Sequence, residues 1–334
     1  MPSSDIATAV EDGTDSAVVT PAADGPPPPP PPEKTRQDDR ESTNKEGVRV
    51  VFRDEEEFRR KHERMVADGA HQLQVIADFD FTMTKFWVNG RRGHSCHQVI
   101  GESGLLSEEF HVRGAALRDH YYPLEVDPDL THETRVEKML EWVTKAHELM
   151  VEAGISRELV SSAVAKSALE FRHGHGELFG WLENEGVPLL LFSAGIADVL
   201  EEALLQRSEK PVPSNCHIIS NRMVFDEEGM MTGFEGECLH VFNKHATSAV
   251  VAPYFQREEM QRRGNVVLLG DSLGDLNMAK GAGSGEVLTV GFLNDKVEER
   301  LDTYTSAYDV VILGDGNFDF VLQLLQDVAP KRQD

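Results

Sequence analysis

Acidic and hydroxyl side chains recur at one kind of place in this sequence, directly after short apolar runs that are typical of buried strands. They are Asp78 and Asp80 after Leu73–Ala77, Ser193 after Val187–Phe192, and Asp271 and Asp275 after Val266–Leu269. Ligands of open α/β sheets bind outside the carboxyl ends of the strands, so these side chains are expected to meet at one edge of a sheet. Lys244 adds a cation from a polar segment upstream of the last run.

Several carboxylates gathered at one edge repel one another unless a cation lies among them. Ligand sets made only of oxygen select a hard ion, and Mg²⁺ is the natural choice. The sequence therefore predicts a magnesium site held by the acidic residues Asp78, Asp80, Asp271 and Asp275.

The same groups suit phosphoryl transfer. A carboxylate such as Asp78 can attack phosphorus and form an aspartyl-phosphate, which divides a difficult hydrolysis into two steps. Lys244 and Ser193 can bind the phosphoryl oxygens over which negative charge spreads. Asp80 can protonate the departing alcohol and later deprotonate the incoming water.

The elements that must position these residues follow from the hydrophobic pattern. Further apolar runs occur at His217–Ser220, Val287–Val290 and Val310–Leu313, and segments of helical length separate most of the runs. This alternation predicts an α/β fold with a doubly wound, Rossmann-like, mostly parallel sheet. Arg222–Gly233 breaks the rhythm, and its central acidic and glycine residues predict a β-hairpin.

The interval from Phe81 to Gly186 is far longer than a crossover helix needs. It shows helical patterns at Glu108–Tyr121, His132–Val151 and Arg157–Phe171. We therefore predict a helical cap at residues 93–171, inserted into a catalytic core formed by residues 48–92 and 172–330. His173 and His175, which follow the cap, are interpreted as polar surface residues before a helix that begins near Glu177.

Composition narrows the function classes. The 334 residues carry a formal net charge of −25, which disfavours nucleic acid polymers and anionic membranes as partners. Three scattered cysteines form neither a disulfide framework nor a paired metal motif, and no apolar run is long enough to span a bilayer. These features favour a soluble cytoplasmic protein, which we expect to be a monomer.

The first 47 residues are predicted to be a disordered, acidic, proline-rich tail. Seven consecutive prolines, Pro26 to Pro32, should form a polyproline II rod. Such a rod could dock into the aromatic groove of an SH3- or WW-type domain, but the composition favours a plain spacer with no partner.

Taken in order along the chain, these motifs resemble the haloacid dehalogenase superfamily of phosphatases. The resemblance rests on Asp78-x-Asp80-x-Thr82, Ser193, Lys244 and Gly270-Asp271-x-x-x-Asp275. It implies that Asp78 is the nucleophile and Asp80 the general acid and base. It also implies that the metal is held by Asp78, by the backbone carbonyl of Asp80 and by Asp271, with support from Asp275.

Longer strings resemble the cytosolic 5′-nucleotidases of type III, which include pyrimidine-specific and 7-methylguanosine-phosphate-specific enzymes. The strings begin at Tyr121, Phe192, His240 and Gly291, and the resemblance extends from about Phe52 to Val328. It implies that the glutamate of the first string, Glu125, hydrogen-bonds the nucleobase. Phe86, Trp87 and Trp142 are candidates for stacking on the base, with ordinary core packing as the alternative.

The chain departs from that family at three positions. Val143 replaces a second aromatic residue, Ala146 stands where some members have a serine that contacts phosphate, and Gly93 replaces a cysteine. The last change favours Cys96 and His97 as pocket lining over a zinc site.

The function predicted on these grounds is Mg²⁺-dependent hydrolysis of nucleoside 5′-monophosphates, with CMP, UMP and 7-methylguanosine monophosphate as candidate substrates. Ser193, Ala194 and Lys244 would bind the phosphate. Transfer of the phosphoryl group to a nucleoside would be a side activity. Two alternatives stay open: a phosphatase for another small phosphomonoester, and a catalytically silent nucleotide-binding scaffold.

Overall fold

The computed structural model describes residues 41–43, 48–125, 127, 129–240, 243–245 and 250–329. Of the predicted tail, only Glu41–Thr43 is among them, so the proline run lies outside the described residues. The strands in chain order are β1 (Glu41–Thr43), β2 (Arg49–Phe52), β3 (Leu73–Ala77), β4 (Trp87–Val88), β5 (Arg91–Arg92), β6 (Leu189–Ile196), β7 (Cys216–Asn221), β8 (Met223–Phe225), β9 (Met231–Phe234), β10 (Asn265–Gly270), β11 (Val287–Leu293) and β12 (Val310–Leu313).

Eight of these strands form the central sheet, in the order β1-β2-β12-β11-β10-β3-β6-β7. The six strands from β12 to β7 run parallel, whereas β1 and β2 pair antiparallel at one side. All residues of β3 and β10 are buried, as expected of strands covered on both faces. The predicted α/β fold with a mostly parallel sheet is confirmed.

The helices cover the two faces of this sheet and fill the long interval after β3. They are α1 (Glu55–Asp68), α2 (Cys96–Gly101), α3 (Glu108–Glu125), α4 (His132–Glu152), α5 (Arg157–Lys166), α6 (His175–Asn184), α7 (Ala197–Arg207), α8 (Ala252–Phe255), α9 (Glu258–Gln261), α10 (Val297–Ala307) and α11 (Asp319–Val328). A 3₁₀ helix spans Leu273–Ala279, a turn that the apolar pattern did not predict.

The segment 93–171, predicted as a cap, contains α2 to α5. Helix α5 ends at Lys166, five residues before the predicted Phe171, because the chain then turns back to the sheet. There Phe171 pairs with Thr84 in an isolated antiparallel bridge. The predicted hairpin is confirmed as β8 and β9, and Met231 N–H in β9 donates to Ile155 O, 2.8 Å away, beside α5.

Two local predictions need correction. Helix α6 begins at His175 instead of near Glu177, and His175 is buried. Its Nδ1 lies 3.1 Å from Arg172 O, and Glu209 N–H donates to its Nε2 at 3.2 Å.

The described helices include none with both the length and the apolar character needed to cross a membrane.

Candidate active site

The carboxyl ends of β3 and β10, the two middle strands of the parallel part of the sheet, bring acidic residues from distant parts of the chain together. Asp78 directly follows β3, and its N–H donates to Leu269 O in β10 at 3.0 Å. Asp271 directly follows β10. One carboxylate oxygen from each of Asp78, Asp271 and Asp275 lies within 4.8 Å of the others. The parallel pairing of β3 with β10 is therefore what assembles this cluster.

Lys244 reaches the cluster from the loop between β9 and α8. Its Nζ donates to Asp78 Oδ1 at 2.6 Å and to Asp275 Oδ1 at 2.8 Å. The residue is only 2% exposed, so both ion pairs are shielded from water. A cation held between two buried carboxylates is well placed to bind an anion that approaches the same edge.

Asp275 is held in place by its own turn. Both the N–H and the hydroxyl of Ser272 donate to Asp275 Oδ2 at 2.9 Å, at the start of the 3₁₀ helix. Gly270 is required next to this turn, because a Cβ there would lie 2.5 Å from the Cβ of Asp275.

The negative charges of the cluster outnumber the single positive charge of Lys244. Burial raises the pKa of Asp78 to about 7, against the opposing charge of Lys244. Burial, with repulsion from Asp275 and Asp78, also raises the pKa of Asp271 well above its usual range. Burial by itself would lower the pKa of Lys244, but Asp275 and Asp78 outweigh it and the pKa rises. One lysine therefore does not neutralise the site, and a further cation would be stabilised there.

Asp80 does not join the side-chain cluster. Its Oδ1 accepts a hydrogen bond of 2.9 Å from the N–H of Cys96, the first residue of α2. That helix is fixed by a capping box in which Ser95 and Gln98 satisfy each other's N–H groups. Burial raises the pKa of Asp80 to about 6, so this carboxyl can carry a proton near neutral pH more readily than an exposed aspartate.

Ser193 and Ala194 lie in an irregular part of β6. The register with β7 shifts between Phe192 and Ile196, so β6 extends through residues that were predicted to follow it. The buried Ser193 Oγ accepts from Gly195 N–H at 2.9 Å, which leaves its proton available to a ligand. A Cβ at Gly195 would lie 3.0 Å from Ser193 Oγ and 3.1 Å from Asp80 Oδ2, so a glycine keeps the space between these groups open.

Asn221 connects two parts of the site, a role that sequence reasoning missed. Its Nδ2 donates to Ala194 O and to Leu239 O, both at 2.9 Å, and its Oδ1 accepts from Leu239 N–H at 2.8 Å. Asn221 thus connects the irregular part of β6 that contains Ser193 and Ala194 to Leu239, in the segment that leads to Lys244. A lone asparagine at a strand end gives no sequence signal for such a role.

Two tyrosines near α10 were also missed. Tyr304 OH donates to Asp271 O at 2.6 Å, and Tyr308 OH donates to Ser272 O. These bonds fix two backbone carbonyls, Asp271 O and Ser272 O, at the start of the loop between Asp271 and Asp275. Both rings are mostly buried, and without the fold they are indistinguishable from ordinary core residues.

The residues predicted to contact the base are spread over several elements. Phe86 packs against Phe81 with ring centroids 5.1 Å apart, and Trp142 in α4 stacks on Tyr121 at 6.1 Å. Cys96 is fully buried next to Asp80. Glu125 ends α3, but its side chain lies outside the described part of the chain.

His97 belongs to a row of rings between α2, α4 and β9. It lies parallel to His147 at a centroid distance of 6.3 Å, and His147 stacks on Phe234 at 3.6 Å. Burial lowers the pKa of His97 to about 4, and burial with the nearby His97 lowers that of His147 to about 3. Both rings are therefore neutral at physiological pH.

Known proteins are similar to this chain both in sequence and in fold. Residues 81–329 match the family described as pyrimidine 5′-nucleotidase (UMPH-1). The 7-methylguanosine phosphate-specific 5′-nucleotidase of Homo sapiens is 42% identical over 261 residues, which cover 78% of this chain and 86% of that protein. A putative cytosolic 5′-nucleotidase 3 of Caenorhabditis elegans is 32% identical over 273 residues, covering 80% of this chain and 72% of that protein.

The fold is similar to the crystal structure of cytosolic 5′-nucleotidase IIIB bound to cytidine. The TM-score is 0.72 at 29% sequence identity, and the match covers 84% of this chain and 93% of that chain.

Proposed function

Because the chain belongs to the pyrimidine 5′-nucleotidase (UMPH-1) family, we propose that it hydrolyses nucleoside 5′-monophosphates through an aspartyl-phosphate on Asp78, with Mg²⁺ as cofactor. The membership itself makes the protein a phosphoric monoester hydrolase of the 5′-nucleotidase type. It also confirms the resemblance to the type III enzymes and to their haloacid dehalogenase-like fold. The identity of the metal, the mechanism and the substrates are the proposed part.

The observation that carries the proposal is the cluster of Asp78, Asp271 and Asp275 with Lys244 between two of its members. These oxygen donors are largely buried, and burial together with repulsion from neighbouring carboxylates raises the pKa of Asp78 and of Asp271 despite the charge of Lys244. The set therefore fits a hard divalent ion. We propose that Asp78, Asp271 and the backbone carbonyl of Asp80 hold Mg²⁺, with support from Asp275; when bound, the ion reduces repulsion between the attacking carboxylate and the phosphate.

The protein's own groups account for the rest of the reaction. Asp78 attacks phosphorus, the bond to the 5′ oxygen breaks, and that oxygen takes a proton from Asp80. Asp80 then accepts a proton from the water that attacks the aspartyl-phosphate, which releases phosphate and restores Asp78. Lys244, Ser193 and Ala194 would bind the phosphoryl oxygens throughout.

Base recognition is proposed for the helical segment. A carboxylate at Glu125 suits a base edge that presents amino hydrogens, and Phe86, Trp142, Cys96 and His97 would line the pocket. The relatives are named for 7-methylguanosine phosphate, and the similar structure is bound to cytidine. We therefore propose CMP, UMP and 7-methylguanosine monophosphate as the candidate substrates.

We also propose that residues 93–171 form a cap on a core made of residues 48–92 and 172–330. The chain segments at the two boundaries pair with each other: Lys85 N–H donates to Glu170 O at 2.8 Å, and His94 N–H donates to Ala168 O at 3.1 Å.

A cytoplasmic location is part of the proposal, because the Caenorhabditis elegans relative is named cytosolic.

The test is a phosphate-release assay on CMP, UMP, 7-methylguanosine monophosphate, phosphoserine and glucose 6-phosphate. Within this panel, activity should be confined to the nucleotides, disappear with EDTA and return with Mg²⁺. Asp78→Asn should lose about four to six orders of magnitude in kcat, whereas Asp119→Asn on the exposed surface of α3 should not change it.

Retained activity of Asp78→Asn would contradict the mechanism, and a preference for phosphoserine or glucose 6-phosphate would contradict the substrate class. Adding a nucleoside acceptor to the same assay measures phosphotransfer, which should yield the acceptor's monophosphate at the expense of free phosphate.

A further inference from the structure

Arg172 is a fully buried arginine at the end of the segment that returns from α5 to the sheet. It is only 1% exposed, so its charge needs partners within the protein. Its Nε donates to Thr82 O at 2.9 Å, and its Nη2 donates to Phe81 O at 2.7 Å. A third, longer bond of 3.3 Å joins Nη2 to Thr84 O. The guanidinium therefore binds three carbonyls of the loop that directly follows Asp80.

That loop contains a conformation that needs outside support. Phe81 has φ of +65°, in the left-handed region, which is unfavourable for a bulky side chain. Strain of this kind persists only where surrounding contacts fix the backbone. Phe81 O accepts from Arg172 and also from Asn294 Nδ2 at 2.9 Å, and Phe81 N–H donates to Thr84 Oγ1 at 2.9 Å.

The other side of the guanidinium is bound to the loop after β12. Its Nη1 donates to Asp315 Oδ1 at 3.0 Å and to Gly316 O. The same carboxylate accepts from Phe86 N–H and from Trp87 N–H, both at 2.9 Å. Arg172 and Asp315 thus join the strand ends to the chain segment that leads towards α2.

The segment leaving the sheet and the segment returning to it are also bonded directly. Arg172 N–H donates to Met83 O at 2.9 Å, next to the bridge between Thr84 and Phe171. Asn294 closes the network, because its Oδ1 accepts from Arg172 Nη2 at 3.0 Å while its Nδ2 binds Phe81 O. These contacts hold backbone carbonyls of the loop that follows Asp80, and Phe81 O accepts two of the hydrogen bonds.

We propose that Arg172 is a positioning residue for Asp80: by holding Phe81 in its left-handed conformation it fixes the direction in which the Asp80 carboxyl points, and Asn294 assists it. Without these bonds the Phe81 backbone would relax and rotate the adjoining peptides, and Asp80 would leave the Cys96 N–H. The inference rests on the proposed role of Asp80 as the group that protonates the leaving oxygen.

The experiment compares two substrates that differ only in the leaving group, phenyl phosphate and 4-nitrophenyl phosphate. In the first step Asp78 forms its bond to phosphorus, the bond to the phenolic oxygen breaks with its electron pair, and that oxygen takes the proton of Asp80. The better leaving group, 4-nitrophenolate, needs this proton least. The ratio of the two kcat/KM values therefore reports on proton donation, and a general loss of folded protein does not change it.

Arg172→Lys keeps the charge that balances Asp315 but loses the planar set of donors. It should lower kcat/KM for phenyl phosphate about 10- to 100-fold and that for 4-nitrophenyl phosphate less than about threefold. Asn294→Ala removes one bond to Phe81 and leaves no buried charge unpaired, so it should shift the ratio in the same direction by a smaller factor. If Arg172→Lys does not fold, Asn294→Ala decides the question.

Arg207→Lys is the matched control. Arg207 also binds backbone carbonyls, donating to Leu169 O at 2.8 Å and to Ser167 O at 3.1 Å, but makes no contact with the loop after β3. It should leave the ratio unchanged. Unchanged ratios in both folded test variants would overturn the positioning role. Asp80→Asn, measured alongside, should shift the ratio most; if it does not, the proposed role of Asp80 fails instead.

Discussion

The strand ends and the helical segment 93–171 both contribute to the candidate active site, but they are built differently. At the strand ends, Asp78, Asp275 and Lys244 are nearly or fully buried and are bonded mainly to one another. In the helical segment, the rings of Trp142 and His147 contact other rings, as core residues commonly do. The first set places charges where an apolar core would need none, whereas the second makes contacts that any core can use.

This difference indicates where function can be assigned from structure alone. Burying carboxylates and a lysine together costs several kcal/mol per ion, so such a group is expected only where it is used. Stacked rings stabilise any core and identify no ligand. Substitutions should therefore affect catalysis most at the strand ends, and should affect substrate choice or stability in the helical segment.

After Asp78→Asn, Lys244→Ala should have the largest effect. Removal of the cation should lower kcat by about 10³-fold. In the absence of Mg²⁺ it should also lower the free energy of unfolding by about 3–5 kcal/mol, because Asp78 and Asp275 remain buried without their partner. Phosphate release and urea unfolding measure the two effects.

The control is Lys145→Ala in α4, where Lys145 forms an exposed ion pair with Glu141. It should change the free energy of unfolding by less than about 1 kcal/mol. Addition of Mg²⁺ should restore part of the stability of Lys244→Ala but not its activity. A stable, active Lys244→Ala would mean that the strand ends are no more specialised than the helical segment.

Gly195→Ala tests the boundary between the two regions. The added methyl group would lie 3.0 Å from the Cβ of Cys96 and 3.1 Å from Asp80 Oδ2. We expect kcat/KM to fall about 100-fold through displacement of these groups, with little change in the melting temperature. Gly233→Ala in β9, where a Cβ meets nothing within 4 Å, is the control and should keep full activity.

Glu125→Ala should alter substrate choice. If the glutamate binds the base, kcat/KM for CMP and 7-methylguanosine monophosphate should fall about 10- to 100-fold, while 4-nitrophenyl phosphate is hydrolysed as before. Glu125→Gln keeps one acceptor oxygen and should show an intermediate loss on the nucleotides. Equal losses on nucleotide and aryl phosphate would place Glu125 outside base recognition.

His147→Phe should have the smallest effect, and only on stability in acid. His147 is neutral in the fold because its pKa is lowered to about 3, whereas in the unfolded chain it binds a proton below about pH 6.5. The free energy of unfolding should therefore fall as pH drops from about 6.5 towards 4. Phenylalanine preserves the stack on Phe234 and loses no hydrogen bond at Nε2, which has no partner among the described residues.

Urea unfolding at pH 7.5 and pH 5 measures this effect. The decrease in the free energy of unfolding from pH 7.5 to pH 5 should be about 1 to 2 kcal/mol smaller in His147→Phe than in the unchanged protein. His71→Phe, at an exposed position, is the control, and its free energy of unfolding should decrease between the two pH values by as much as that of the unchanged protein. An identical acid loss in His147→Phe would show that this ring does not titrate on unfolding.

Much of the fold and the family could be predicted from the sequence, because strand pattern and motif order are local properties. The runs at Leu73–Ala77 and Val310–Leu313 match β3 and β12 residue for residue. The antiparallel strand β2 and the extension of β6 through Gly195 could not be predicted, since both depend on pairing with strands distant in the chain.

By itself, the sequence determined which chemical groups the protein has and which apolar runs they follow: carboxylates after the runs of β3 and β10, a hydroxyl after the run that begins β6, and a lysine in a loop. Only the tertiary structure decided which side chains support them. Arg172, Asn221 and Tyr304 bind backbone carbonyls far away in the chain, and such bonds depend on distances that no local pattern specifies. A buried polar group must find a partner somewhere, but only the folded chain shows where.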